Sequence, residues 1–203
     1  MKKSLLCLLL ISLLCPLNGQ IFSGCLEIDF EEIPNQIPAE GLTISDQYFD
    51  SHGTAFTLEN GDSPVLAQVG GAATAFGSVY GNDQPAPGSD VGEFFLTDDG
   101  FLFGLEMIPV IVTFANPIDS FATCVLDIDL GEFFIMEARD QNGQTVLADT
   151  IYAGDPETGD GVASCWGFNF EGCEGSIYSV RFEGFRDVPG AFGLGLDNFS
   201  FCF

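Results

Sequence analysis

From residue 25 onward the chain is a succession of short apolar or alternating segments cut by Gly, Pro, Asn and Asp, and no stretch sustains an apolar repeat of 3.6 residues. Alternation with a period of two puts successive side chains on opposite faces, so each segment reads as a strand with one face to bury. Thirteen segments qualify, near 25–30, 53–58, 64–69, 74–80, 93–96, 101–105, 109–115, 118–128, 133–139, 144–151, 165–170, 177–183 and 192–202. The 25 glycines and 10 prolines supply the turns between them. So many short strands predict an all-β fold, two antiparallel sheets packed as a jelly-roll-like β-sandwich. The 21 Phe, four Tyr and one Trp provide its core and exclude a solvated, disordered chain.

Asn142-Gly143, between FFIMEARD and QTVLADTIY, is the strongest hairpin signal, and Asn followed by Gly predicts a type I′ turn. Residues 82–92 and 153–161 read as the longest loops. No linker interrupts the pattern, so residues 20–203 are expected to form a single domain.

Residues 1–19 read differently. Lys2 and Lys3 precede an apolar run from Leu5 to Leu14, and Pro16, Asn18 and Gly19 break it, the pattern of a secretory signal peptide. That run falls short of the roughly 20 residues a membrane-spanning helix needs. The expectation is a secreted or extracellular protein with no integral membrane span. Ile21-Phe22-Ser23-Gly24-Cys25 carries the alternative, small residues before a cysteine that would be lipidated in a cell-surface lipoprotein.

Both lysines lie in that leader, which leaves three arginines (Arg139, Arg181, Arg186) against 30 carboxylates, a formal charge of −27. Such a balance excludes nucleic acid as a partner and repels an anionic membrane. It leaves two compatible readings: solubility in a salty medium, and carboxylates that hold divalent cations. Five cysteines follow the leader, and an exported protein meets an oxidising compartment. Cys165 and Cys173 flank a short segment that a bridge would close, and Cys25 and Cys202 lie in the first and last strands. Cys124 is then left as a buried free thiol.

Ile28-Asp29-Phe30-Glu31-Glu32-Ile33-Pro34, Ile44-Ser45-Asp46-Gln47-Tyr48 and Gly53-Thr54-Ala55-Phe56 open the domain, and Phe192-Gly193-Leu194-Gly195-Leu196-Asp197-Asn198-Phe199-Ser200-Phe201 closes it. With Val112-Thr113-Phe114 and the 138–143 hairpin between them, the chain resembles the secreted bacterial β-sandwich domains of the PEP-CTERM and choice-of-anchor type, similar to carbohydrate-binding jelly rolls. It lacks their C-terminal anchor helix and sorting motif, so free secretion is favoured. The resemblance implies extracellular or surface roles and a structural Ca2+ held by Glu31 and Asp197, with Asp29 or Glu32 as helpers. A hard cation that takes six to eight oxygens suits such a set.

Other acids read as solvated: Asp127 and Asp129 on one strand face, Asp155, Glu157 and Asp160 without EF-hand spacing, and Asp98-Asp99-Gly100 as a turn. The single histidine, His52, lies in the turn Asp50-Ser51-His52-Gly53 and offers little to a triad. Trp166 and Phe168 alternate onto one face, and Tyr178 follows; these rings would either fill the core or stack a sugar. The leading expectation is a non-catalytic binding or adhesion module of the cell surface or extracellular matrix, stabilised by Ca2+ and binding a glycan. The alternative is a structural or surface-coat protein without a small ligand, and a carboxylate-dependent hydrolase comes third.

Overall fold

The computed structural model describes residues 24–71, 85, 86, 88, 91–98, 107–126, 128, 131–151, 162–169, 176–186 and 195–203. The expected leader, the expected strands at 74–80 and 101–105, the acids at 99, 127, 129, 155, 157 and 160, and Cys173 lie outside these residues.

The described residues form eleven strands: β1 (Cys25–Ile28), β2 (Thr54–Leu58), β3 (Val65–Gln68), β4 (Phe94–Thr97), β5 (Val110–Ile118), β6 (Ser120–Leu126), β7 (Glu132–Arg139), β8 (Thr145–Ile151), β9 (Ala163–Asn169), β10 (Ile177–Arg186) and β11 (Gly195–Cys202). Each falls on one of the expected segments. One helical turn, α1 (Phe49–His52), precedes β2 and ends where Gly53 takes a left-handed conformation. The strands form two antiparallel sheets. One runs β3-β4-β11-β6-β9, with β1 alongside β11, and the other runs β2-β5-β10-β7-β8. β4 and β1 share one edge of β11, β4 at Leu196 and β1 along Phe199–Cys202. A single residue, Asp119, carries the chain from β5 in the five-stranded sheet to β6 in the six-stranded one.

Alternation decides which side chains meet. On β7, Phe134, Met136 and Ala138 are buried between the sheets while Phe133, Ile135 and Glu137 are only half-covered. The core they enter is aromatic: Phe121, Phe182, Phe199 and Phe201 are fully buried, with edge-on contacts such as Phe182 on Phe199. A smaller apolar cluster of Ala67, Phe95 and Leu126 lies on the other face of the six-stranded sheet, so β4 is buried on both sides. On the outer face of the five-stranded sheet, Arg181 grips Glu59 with two hydrogen bonds, Nε to Oε1 at 2.7 Å and Nη2 to Oε2 at 2.8 Å, and also reaches Glu183 at 2.6 Å. Arg139 pairs with Glu137 and Arg186 with Glu132. Arg139, Arg181 and Arg186 are therefore all engaged with carboxylates.

Two expectations need correction. The hairpin between β7 and β8 is not a type I′ turn. Gly143 alone of the pair has positive φ, and the Gly143 N–H returns to the Asp140 carbonyl at 2.9 Å. The Asp140 carboxylate takes the Asn142 and Gln144 N–H groups at 2.8 and 2.9 Å, which stabilises a longer five-residue connection, and the ladder shifts register beside it. The second correction concerns the cysteines. Cys25 is bonded to Cys202, as expected, but Cys165 is bonded to Cys124 rather than to Cys173. Cys124 is not a free thiol. Strand register decides both bridges, since Cys25 lies directly opposite Cys202 across β1 and β11, and Cys124 opposite Cys165 across β6 and β9.

Candidate cation site between the first and last strands

β1 stops at Ile28 because the backbone turns sharply after it. Phe30 adopts a left-handed conformation, φ 61°, an outlying choice for an aromatic residue. The turn drives the Phe30 ring into the core against Tyr48, Phe56 and Phe199, at centroid distances of 6.1, 5.8 and 5.6 Å. It leaves Asp29 exposed and Glu31 half-covered on either side. The Glu31 N–H donates to Asp29 Oδ1 at 3.1 Å, and Glu31 Oε1 accepts the Phe94 N–H at 2.9 Å. Gly92 makes that approach possible, because a β-carbon there would overlap the Glu31 carboxylate.

Asp197 comes to the same place from β11. It lies across from Cys124, and a register shift follows it before Ser200 pairs with Ala122. Asn198 absorbs the extra residue with φ 52°, a β-bulge. Leu196 and Phe199 both enter the main core, so Asp197 stands on the opposite face, where it is 0% exposed. Its Oδ2 accepts the Gly92 N–H at 3.1 Å and its Oδ1 the Asn198 N–H at 2.8 Å. The Thr123 hydroxyl donates to its carbonyl at 2.8 Å. Among the described residues no ion pair reaches it.

Burial is the chief cause that pushes the Asp197 carboxyl up to about 7; the charges of Asp29 and Glu31 add to it, and the two backbone amides oppose it. Tyr48, buried beside them, has its phenol raised by burial first and then by Asp29, Asp197 and Glu31; its hydroxyl donates to the Glu32 carbonyl at 3.0 Å. Asp29, Glu31 and Asp197 thus share one electrostatic neighbourhood of hard oxygen donors. Among the described residues no group of three or more His, Cys, Asp or Glu is placed so as to hold a metal ion. A cation here would draw on one or two carboxylates and complete its shell with carbonyl and water oxygens.

Glu32 contributes elsewhere. With Glu27, Asp29, Tyr48, Ser51 and His52 it lines a cavity of about 340 Å³ beside α1. The His52 Nδ1 lies 2.7 Å from the Ser51 hydroxyl, and its ring packs edge-on against Tyr48. Burial lowers the His52 pKa, against a hydrogen bond with the Glu27 backbone. Trp166 and Phe168 lie opposite Thr123 and Phe121, half-buried and packed on the main core. The Trp166 indole N–H donates to Asp149 Oδ2 on β8 at 3.2 Å. Tyr178 is on β10, in the other sheet, so the three aromatics do not share one sheet face. Sequence reasoning missed Gly92, Tyr48 and the Asn198 bulge as parts of the acidic site. The glycine before the Phe94 strand was the one visible cue.

No family model matches the chain, and no curated protein does. Among solved structures, the chain is similar to the K1 cleaved adhesin domain of Lys-gingipain from Porphyromonas gingivalis W83, at 16% identity and a TM-score of 0.36, covering 87% of this chain and 96% of that one. It is also similar to the K3 adhesin domain of the same protein, at 12% identity and a TM-score of 0.40, covering 81% and 100%. A third is a DUF4465 family protein from Bacteroides caccae ATCC 43185, at 12% identity and a TM-score of 0.42, covering 68% and 72%.

Proposed function

We propose that this chain is a secreted, non-catalytic binding or adhesion module of the cell surface or extracellular matrix, stabilised by Ca2+ at the Asp29–Glu31–Asp197 site. The observation that supports the reading is Asp197. A fully buried carboxylate next to two others and met by no cationic side chain among the described residues destabilises a fold unless something neutralises it. A bound divalent cation supplies that charge. Glu31 and Asp197 would hold it, and both also fasten the segment at Gly92–Phe94. Two disulfides fit an oxidising compartment, and no helix among the described residues is long and apolar enough to cross a membrane. The resemblance to choice-of-anchor domains points the same way.

Thermal unfolding in EDTA, across a calcium titration and with magnesium as control, tests the cation. At a free concentration of about 100 Kd, calcium adds about 2.7 kcal/mol. A calcium-specific rise in midpoint that Asp197→Ala abolishes supports the site; an unchanged midpoint refutes it. Glycan binding is the finer part of the proposal and rests on Trp166, whose ring reaches the β8–β9 side with Asp149 beside it as an acceptor for a sugar hydroxyl. Saturable binding on a glycan array, lost in Trp166→Ala while the variant still unfolds cooperatively, supports it.

A further inference from the structure

We propose that Asn142 is a modification site, a centre of slow deamidation whose rate Asp140 sets. The proposal rests on the β7–β8 hairpin alone and not on the cation site. Asn followed by Gly is open to attack from its own backbone, because glycine leaves the next backbone nitrogen uncrowded. The Gly143 nitrogen loses its proton to solvent and bonds to Asn142 Cγ. The Cγ–Nδ2 bond breaks, Nδ2 takes up a proton and leaves as ammonia, and a cyclic imide remains. Water then opens one of the two imide C–N bonds, giving aspartate or, with the main chain rerouted through the side chain, isoaspartate. Water is the only co-reactant, and nothing is oxidised or reduced. Residues 141–149 are all exposed, so solvent reaches the site.

Both reacting groups are held through one residue. The Gly143 N–H, which must lose its proton, donates to the Asp140 carbonyl at 2.9 Å. The amide that must leave is tied by Asn142 Nδ2 to Asp140 Oδ2 at 3.2 Å. Asp140 Oδ1 accepts the Asn142 and Gln144 N–H groups at 2.8 and 2.9 Å, which pins the backbone before and after Gly143. The same contacts bring an anion beside the nitrogen, and a neighbouring negative charge opposes its deprotonation. The Gln144 amide first, and then the amide and side chain of Asn142, hold the Asp140 carboxyl below its ordinary value, against desolvation. Attack therefore waits for a local opening of the hairpin. The product does not return to the same turn. Either isomer sets a carboxylate where the amide had donated to Asp140, and isoaspartate also lengthens the main chain inside the turn. Among the described strands β8 pairs only with β7, so β8 is the strand that the reaction loosens.

The test uses the full secreted protein with its disulfides intact, incubated in mildly alkaline buffer at physiological temperature, natively and in urea. Peptides spanning Asn142 are separated and weighed, each product having gained about 1 Da. Both products are expected in both samples, forming about tenfold more slowly in the native one, the weight of two hydrogen bonds. Asp140→Ala should bring the native rate up toward the rate in urea and leave the latter unchanged. Asp140→Asn keeps an oxygen for the backbone amides but removes the anion, and should fall between. A cooperative melt verifies that each variant is folded. In urea below the unfolding transition the wild-type rate should stay flat, the mark of a local opening that exposes little surface. A native rate equal to that in urea overturns the proposal, as does native protein that forms no product at Asn142. A native Asp140→Ala no faster than the wild type overturns the part given to Asp140, and so does a native rate that climbs with urea from the start.

Discussion

Replacing Asp197 by asparagine removes a charge from a buried site and keeps its shape. The carboxyl titrates at about 7 in the folded protein and near 3.8 when unfolded. Each unit of that difference is worth about 1.4 kcal/mol, so ionising Asp197 in the calcium-free fold costs about 4 kcal/mol. The sign follows from proton binding. Between the two values the folded state holds a proton that the unfolded state has lost, so stability falls as pH rises. The contribution is fully present below pH 4 and is gone above pH 7. For a domain of this size, 4 kcal/mol is a shift in midpoint of roughly 8 to 16 °C. The amide that replaces the carboxylate turns an NH2 toward the Gly92 or Asn198 N–H, which adds a pH-independent penalty of about 1–3 kcal/mol. The diagnostic quantity is therefore the slope of midpoint against pH in EDTA. Other carboxylates contribute a common slope to both proteins, and Asp197→Asn is expected to lack the extra fall between pH 4 and pH 8. Calcium favours the ionised form, so in the wild type it should raise the midpoint more at pH 8 than at pH 5. Parallel curves for the two proteins through the whole range would refute the assignment of the perturbed carboxyl to Asp197.

The two disulfides close chain loops of 177 and 41 residues, so converting each pair to serine should cost about 5 kcal/mol for Cys25/Cys202 and about 4 kcal/mol for Cys124/Cys165, measured by urea unfolding. Peptide mapping without reductant should recover Cys124 linked to Cys165, and recovery of a Cys165–Cys173 peptide would contradict the register of β6 and β9. Arg181→Ala leaves Glu59, Glu137 and Glu183 without their shared cation and should cost about 2 kcal/mol at pH 7, the partners being partly solvated. Glu59 has its pKa held down chiefly by its hydrogen bond to Arg181, so that stabilisation is present above its unfolded value and lost as pH falls through the folded one. The cost of Arg181→Ala should shrink below pH 4; a cost that persists in acid would show lost packing instead.

The architecture was legible because burial enforces it residue by residue. In β2 and β7, the side chains that alternate into the core are those the period of two selects, and eleven segments could be placed without knowing which strand pairs with which. Pairing was less accessible. Cys165 and Cys173 are near in sequence, whereas Cys124 and Cys165 are near because β6 and β9 run side by side in one register, a property of sheet order that alternation does not encode. Asn142-Gly143 misled for a related reason. The pair accepts positive φ at both residues, but the Asp140 carboxylate captures two backbone amides and stabilises a turn that uses it at Gly143 alone.

The acidic site was named from resemblance, and its residues lie together for a reason no pattern displays. A strict alternation through 28–32 would send Phe30 and Asp29 to opposite faces but would continue β1 past Phe30 as an ordinary strand. Instead Phe30 and Asn198 both leave the strand region for positive φ, one where the chain turns away from β1 and the other at the bulge in β11. The conformation is common for Asn but unfavourable for Phe, and at Phe30 it persists because its surroundings over-determine it. For Phe30 those surroundings are the rings of Tyr48, Phe56 and Phe199. Asn198 is set by Leu196 and Phe199, which both enter the core with two residues between them. The core thus imposes both departures, and each places a carboxylate, Glu31 beside one and Asp197 beside the other, on the backbone amides of a single segment at Gly92–Phe94. Apolar packing alone would not require acids there. Two carboxylates, one of them fully buried, thus meet on one segment, and the calcium titration and the asparagine variant address the role of that buried charge from opposite sides.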